Sequence, residues 1–390
     1  MKLSELMFIL EGGNTTTINK KTGEAKSAEK IDFNRLSIES FRSEFIDLFI
    51  SLNRLFFNKY KEKLWANDSL IKKGLVFNGS TSYIMNPKMN PKEIFKYKQS
   101  SGDIDIVIPA EHQEKLWDLL DSLEGKTIGN FEYHGCFSQN REKLGDQLLT
   151  IFVYKPENIA CQIDFENADF KDGKPTEFAR FSHGSSFEDA KESIKAFAHK
   201  LLLRALVGAI SANPNIVVAT KSSKPDNIKL KADKSTPRMA QFSVTRGLRF
   251  GLVPMLDKGE PVYYEGKQVY QEQDTSDSEF ITDLKEIFKY MFKSSVGLKD
   301  LHSFIGVVKL MKKHCDEKTI KLTQERFFDI IFGMPAQFIE PNDLKLDRQV
   351  KLTAYNYFLK ELRLRHPGLE VDIDRYYIVK GSKSKTKAKA

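Results

Sequence analysis

A chain of 390 residues, 41% of them hydrophobic, can bury a sizeable core and is long enough for two domains. Its formal charge of +8 points to polyanionic partners as a class, whether a nucleotide, an RNA or a phosphorylated protein. The three cysteines, Cys136, Cys161 and Cys315, are odd in number, far apart and without a C-x-x-C pair, so they indicate neither a disulfide framework nor a zinc site.

That cysteine usage fits a reducing cytosol. The opening "MKLSELMFIL" carries an acid inside its apolar run and no small-residue cleavage site, and no later run reaches membrane-spanning length. A soluble cytoplasmic protein is expected, with no membrane partner.

In chain order, the polar stretch "EGGNTTTINKKTGEAKSAEK" reads as mobile. Phe41, Phe45, Leu48, Phe49, Leu52 and Phe56 then recur at the three-and-four spacing of an amphipathic helix, with Ser37 and Ser40 as N-caps. A short strand, Leu75-Val76-Phe77, feeds the small-residue turn Asn78-Gly79-Ser80-Thr81-Ser82. The next stretch, "YIMNPKMNPKEIFKYKQSSG", holds Asn86-Pro87 and Asn90-Pro91. Proline disfavours helix in the residue before it, so an inserted loop bearing Lys88, Lys92, Lys96 and Lys98 is expected, either gripping substrate or merely solubilising.

The stretch "SGDIDIVI" follows and reads as a strand. Side chains alternate faces with a period of two, so Ile104, Ile106 and Ile108 share one face while Asp103, Asp105 and Val107 share the other. The two acids lie about 7 Å apart along the backbone, near enough to repel when ionised and to share a cation. Pro109 then opens a helix through Leu116, Leu119, Leu120 and Leu123. Strands are expected at 147–154 and 159–166, the second with Asp164 between Ile163 and Phe165.

From Ser186 a single helix is predicted, capped by Ser186 with Asp189, burying Ala190, Ile194, Phe197, Leu201 and Ala205, and ended by Asn213-Pro214. Residues 221–249 are basic, with eight Lys or Arg against two Asp. The stretch "VYYEGKQVYQ" suggests a hairpin with Glu-Gly in its turn, the chain reads as mostly helical from about 277 to 366, and the lysine-rich end should be disordered. This places a first domain at 1–190, a mostly helical second domain at 191–380 and a tail at 381–390.

Other apparent sites are weaker. "EGKT" at 124–127 ends like a P-loop, but the required earlier glycine falls at Leu120. His314, Cys315 and Asp316 are adjacent, and adjacent helical residues point to different faces. Asp372 and Asp374 repeat the D-x-D spacing without a Gly-Ser turn upstream and read as surface. Phe-rich "RLFF" and "RFFDIIF" read as core.

Taken in order, "VFNGSTS", "GDIDIVI" and "CQIDFE" resemble the nucleotidyltransferase superfamily that includes DNA polymerase beta, poly(A) polymerases, CCA-adding enzymes and oligoadenylate synthetases. The likeness spans residues 75–166 and departs from the family pattern in a longer interval between Gly79 and Asp103. It implies an α/β (α+β) fold with a small mixed sheet in a polymerase beta-like core. It also implies that Asp103, Asp105 and Asp164 are catalytic and hold two Mg2+, or Mn2+, ions. Gly79 and Ser80 would meet the triphosphate, and Lys200 and Arg204, one helical turn apart, would neutralise the departing pyrophosphate. "MKLSELMFILEGGN" and "SGDIDI" also resemble nucleotidyltransferases of large tailed bacteriophages, which implies a host-cytoplasm location.

The chemistry needs those residue types. Attack of a hydroxyl on the alpha-phosphorus of an NTP such as ATP is served by two divalent ions roughly 3.5–4 Å apart, and hard cations call for carboxylate oxygens. The expected function is template-independent transfer of NMP to RNA or another nucleic acid end, gripped by the basic segment, the lysine loop and the tail. The alternatives are transfer to a protein or small molecule, as in antitoxin-like or aminoglycoside-modifying enzymes, and a non-catalytic nucleotide- or RNA-binding module. The NTP used and the oligomeric state are not legible.

Overall fold

The computed structural model describes residues 16–137, 147–231, 236–272, 279–333 and 341–364. The opening residues 1–15, Asp372, Asp374 and the tail 381–390 lie outside the described residues. The chain divides into two compact units, Met1–Glu192 and Ser193–Ala390, and is mixed α/β.

The first unit begins with a correction. The stretch expected to be mobile forms a hairpin from residue 16 onward, β1 (Thr16–Ile18) against β2 (Ala25–Ser27), and Thr17 is buried. A further pair, β3 (Ile31–Asp32) and β4 (Ser100–Ser101), leads into β5 (Asp103–Pro109). With β6 (Thr127–Ile128), β7 (Phe131–Cys136), β8 (Gln147–Tyr154) and β9 (Ile159–Ala168), β5 makes a curled sheet in the order β5-β9-β8-β7-β6. The β5–β9 pairing is parallel and the others are antiparallel.

The helix predicted from the phenylalanine spacing runs from Ile38 to Tyr60, and the Ser37 hydroxyl accepts from the Ser40 amide at 3.2 Å. All six residues of its expected stripe are buried. Phe49 sits among Trp65, Phe77 and Phe165, with ring centroids 5.5–6.3 Å apart. Ile104, Ile106 and Ile108 are fully buried, so apolar packing claims one face of β5 and leaves Asp103 and Asp105 to the other.

Two further expectations need revision. The strand Leu75–Phe77 reduces to a single antiparallel bridge, Phe77 opposite Ile106, because the turn at Gly74 (φ 72°) and the small-residue turn at Gly79 leave no room for more pairing. The stretch taken as an inserted loop contains the helix Pro91–Tyr97. Asn90 caps it by accepting from the Lys92 amide at 3.0 Å, and Pro91 occupies the first helical position, where a missing N–H costs nothing. Lys88, Lys92 and Lys96 are exposed.

The single helix expected from Ser186 is two. Ser186 caps Phe187–Lys191, the chain breaks at Ser193 in the left-handed region (φ 56°), and a second helix runs from Ala196 to Ile210. The break resets the buried face: Leu202, Leu203 and Leu206 are buried, whereas Phe197 and Leu201 are only half-buried.

In the second unit, the described residues between 216 and 272 contain no helix. Ile216–Ala219 pairs in parallel with Lys267–Glu272, which also pairs antiparallel with Leu252–Pro254 and Tyr263–Tyr264. Glu265 and Gly266 form the expected turn, both with positive φ (47° and 77°), the pattern of a two-residue type I′ hairpin. Helices Leu284–Phe292, Phe304–His314, Glu317–Phe332 and Pro341–Glu361 follow. Phe327 and Phe332 of "RFFDIIF" are buried against Phe304, Tyr355 and Phe358. Among the described residues no helix is long and apolar enough to cross a membrane.

His199 gives this unit a pH dependence. Its Nε2 donates to the Leu301 carbonyl at 2.7 Å, and complete burial pushes its pKa down to about 3. The unfolded chain therefore takes up a proton below about 6.5 that the folded unit refuses, so stability is full above that pH and falls as pH drops toward 3. Urea titrations at pH 7 and pH 5 should show wild type losing about 2 kcal/mol more than His199→Gln. Equal losses in the two proteins would show that His199 titrates normally.

Candidate metal centre

The parallel register of β5 and β9 sets Asp103 opposite Gln162, Asp105 opposite Asp164 and Val107 opposite Glu166. Partners across a ladder point to the same face, so both acids of β5 and the acid of β9 converge. One carboxylate oxygen from each of Asp103, Asp105 and Asp164 lies within 4.8 Å of the others, and among the described residues this is the one such group of three His, Cys, Asp or Glu side chains. A slip of one residue in this pairing would turn Asp164 into the core.

Asp164 is the most enclosed of the three, at 7% exposure. Burial, followed by the charge of Asp103, holds its carboxyl well above the usual carboxylate range. Gln162 opposes this by donating from Nε2 to both Asp164 oxygens at 3.0 Å, while Glu166 adds repulsion. Asp103 and Asp105 are half-buried, and ionised carboxylates this close to the enclosed Asp164 repel; a divalent cation among them converts repulsion into attraction.

The glycine turn lies against the trio. Gly79 has φ 48°, and a Cβ placed on it would come within 2.0 Å of Asp105 Oδ2. The side chain this position lacks is therefore the space the Asp105 carboxylate occupies. The turn is tied down on both sides: the Asn78 amide donates to the Asp105 carbonyl and the Gly79 amide to the His183 carbonyl, each at 3.0 Å. Thr81 Oγ1 accepts from the Asp105 amide at 3.2 Å. Ser80 is half-buried and opens the short helix Thr81–Ile84, and its hydroxyl caps nothing there.

No family model, characterised protein or solved structure matches this chain.

The site is thus described by its own geometry. Asp103, Asp105, Asp164, Gly79 and Ser80 all belong to the first unit, where the trio and the turn meet. Lys200 and Arg204 stand on the helix Ala196–Ile210 of the second unit, Lys200 half-buried and Arg204 exposed. The long interval between Gly79 and Asp103 is taken up by two short helices, Thr81–Ile84 and Pro91–Tyr97, and leaves the turn beside Asp105.

Four residues of the site have no counterpart among the sequence candidates: Gln162, Glu166, Asn78 and His183. The first two were within reach, since they flank Asp164 at a spacing of two and must share its face. Asn78 is marked by the sequence only as a turn former and nothing marks His183; both reach Glu166 through tertiary contacts.

Proposed function

We propose that the protein is a divalent-metal-dependent nucleotidyltransferase that moves a nucleoside monophosphate from an NTP to the hydroxyl end of an RNA or another nucleic acid. The observation that carries this reading is the pairing of Asp105 with Asp164, which gathers three carboxylates in front of the Gly79 turn. The donor set is oxygen only, with no imidazole or thiol, and suits Mg2+ or Mn2+ better than a softer ion. Asp103, Asp105 and Asp164 would hold two such ions, which supply Lewis-acid stabilisation of the entering and leaving oxygens.

The chain's own groups have separate tasks. Asp164 accepts the proton of the attacking hydroxyl as the new oxygen–phosphorus bond forms. The bond from the alpha-phosphorus to the bridging oxygen breaks, and pyrophosphate leaves with both electrons. Gly79, lacking a side chain, lets the turn close on the Asp105 carboxylate and present its backbone to the phosphates, and Ser80 offers its amide and its hydroxyl to the beta- or gamma-phosphate. The +8 charge favours a polyanionic acceptor, held in a salt-sensitive way.

The test offers each of the four NTPs, labelled at the alpha-phosphate, with Mg2+ or Mn2+ and total RNA. Label should enter RNA with stoichiometric release of pyrophosphate. Label on protein or small solutes instead would keep the chemistry and overturn the acceptor. NTP binding without pyrophosphate release across all acceptors would overturn the enzyme in favour of a binding module.

A further inference from the structure

We infer that Glu166 is a positioning residue that locks the Asn78–Ser80 turn to β9, so that the turn and the metal-binding strand keep one spacing. The inference rests on the reading above, in which that turn faces the triphosphate. Glu166 points to the same face of β9 as Asp164, yet it is not among the three carboxylates that converge. Its oxygens are committed elsewhere. Oε2 accepts from Asn78 Nδ2 at 2.5 Å and from His183 Nδ1 at 3.2 Å, and Oε1 accepts from Gln147 Nε2 at 3.0 Å.

Each of those donors bears on the turn or on its neighbouring strands. Asn78 is the first residue of the turn and is buried, so its side chain ties the turn's start to β9. His183 ends the helix Glu177–His183, and its carbonyl receives the Gly79 amide at 3.0 Å. Gln147 is the first residue of β8, the antiparallel neighbour of β9, and lies opposite Glu166 in register. One carboxylate thus joins β8, β9, the helix end and the turn. With Glu166 6% exposed, water is a poor substitute for any of the three donors.

A glutamine here is not a conservative replacement. A carboxylate has two acceptor oxygens for the three donors, whereas an amide has one oxygen and brings two further N–H groups. In Glu166→Gln the new amide nitrogen meets one of these donors as it now stands, so that partner must turn over or lose its bond, and the turn loosens while Asp103, Asp105 and Asp164 stay in place.

The experiment has two independent readouts. In amide hydrogen exchange on the full chain, Asn78 and Gly79 should exchange at least tenfold faster in Glu166→Gln than in wild type, with the β9 amides unchanged. In transfer assays the KM for NTP should rise at least tenfold with kcat within threefold, and the Mn2+ concentration for half activity should hold. Asn78→Ala should behave alike, and the double variant should be no worse than the poorer single one, because both changes cut the same link. Unchanged exchange at the turn overturns the lock whether or not the protein transfers nucleotides. A wild type that transfers nothing refutes the functional reading alone, while additive effects on KM refute the link between Glu166 and Asn78.

Discussion

Asp105→Asn should abolish nucleotidyl transfer, lowering the rate by about 10^3-fold or more, which is ~4 kcal/mol of lost transition-state stabilisation. The substitution keeps the shape of the side chain and removes one charge from the trio. Without metal the variant should be at least as stable as wild type, since a like charge beside Asp103 and Asp164 has gone. With metal the order reverses. A cation that binds only the folded state raises stability by about 2.7 kcal/mol at a hundred times its Kd, and the variant forfeits most of that gain. Thermal melts with and without millimolar Mn2+ should therefore shift upward for wild type and hardly move for Asp105→Asn. A variant that keeps transfer within tenfold, or the same Mn2+-dependent shift, would falsify the metal centre.

Gly79→Ala should be almost as damaging to activity, for a reason the double variant exposes. An alanine at φ 48° pays about 1–2 kcal/mol for left-handed backbone. The larger effect is steric: the new methyl would sit 2.0 Å from Asp105 Oδ2 and 3.0 Å from its Cγ, so the carboxylate must swing away from its two companions. We expect transfer to fall by about 10^2-fold or more, since small displacements of catalytic groups cost that much. In an Asp105→Ala background the clash is gone, and the same change should cost stability only the backbone strain. Measuring all four proteins by urea denaturation isolates the coupling between the two positions. Equal costs in the two backgrounds would show that Gly79 and Asp105 do not compete for space.

The residues of the centre were readable in part. Alternation along "GDIDIVI" sorts the acids from the isoleucines before any fold is known, because burial of one sheet face leaves a period of two in the sequence. The strand at 147–154 is legible from its apolar run, and the Glu-Gly turn from a glycine that tolerates positive φ. The helix Pro91–Tyr97 has a local signal of its own: Asn-Pro pairs suggest a loop, but asparagine at the cap with proline next is also a helix start, and here the helix wins. The break at Ser193 carries no comparable signal, since an apolar spacing that continues across it looks like one helix.

The identity of the three carboxylates, and the face on which two of them stand, was written in the order of the residues, because a strand's alternation is a local property of its backbone. Their meeting was not. It depends on β9 lying parallel to β5 with Asp164 beside Asp105, on Gly79 folding back against that carboxylate, and on Glu166 closing on Asn78 from 88 positions away. Pairing partner, direction and register are chosen by the packing of the whole sheet against its helices, so only the tertiary structure decides them.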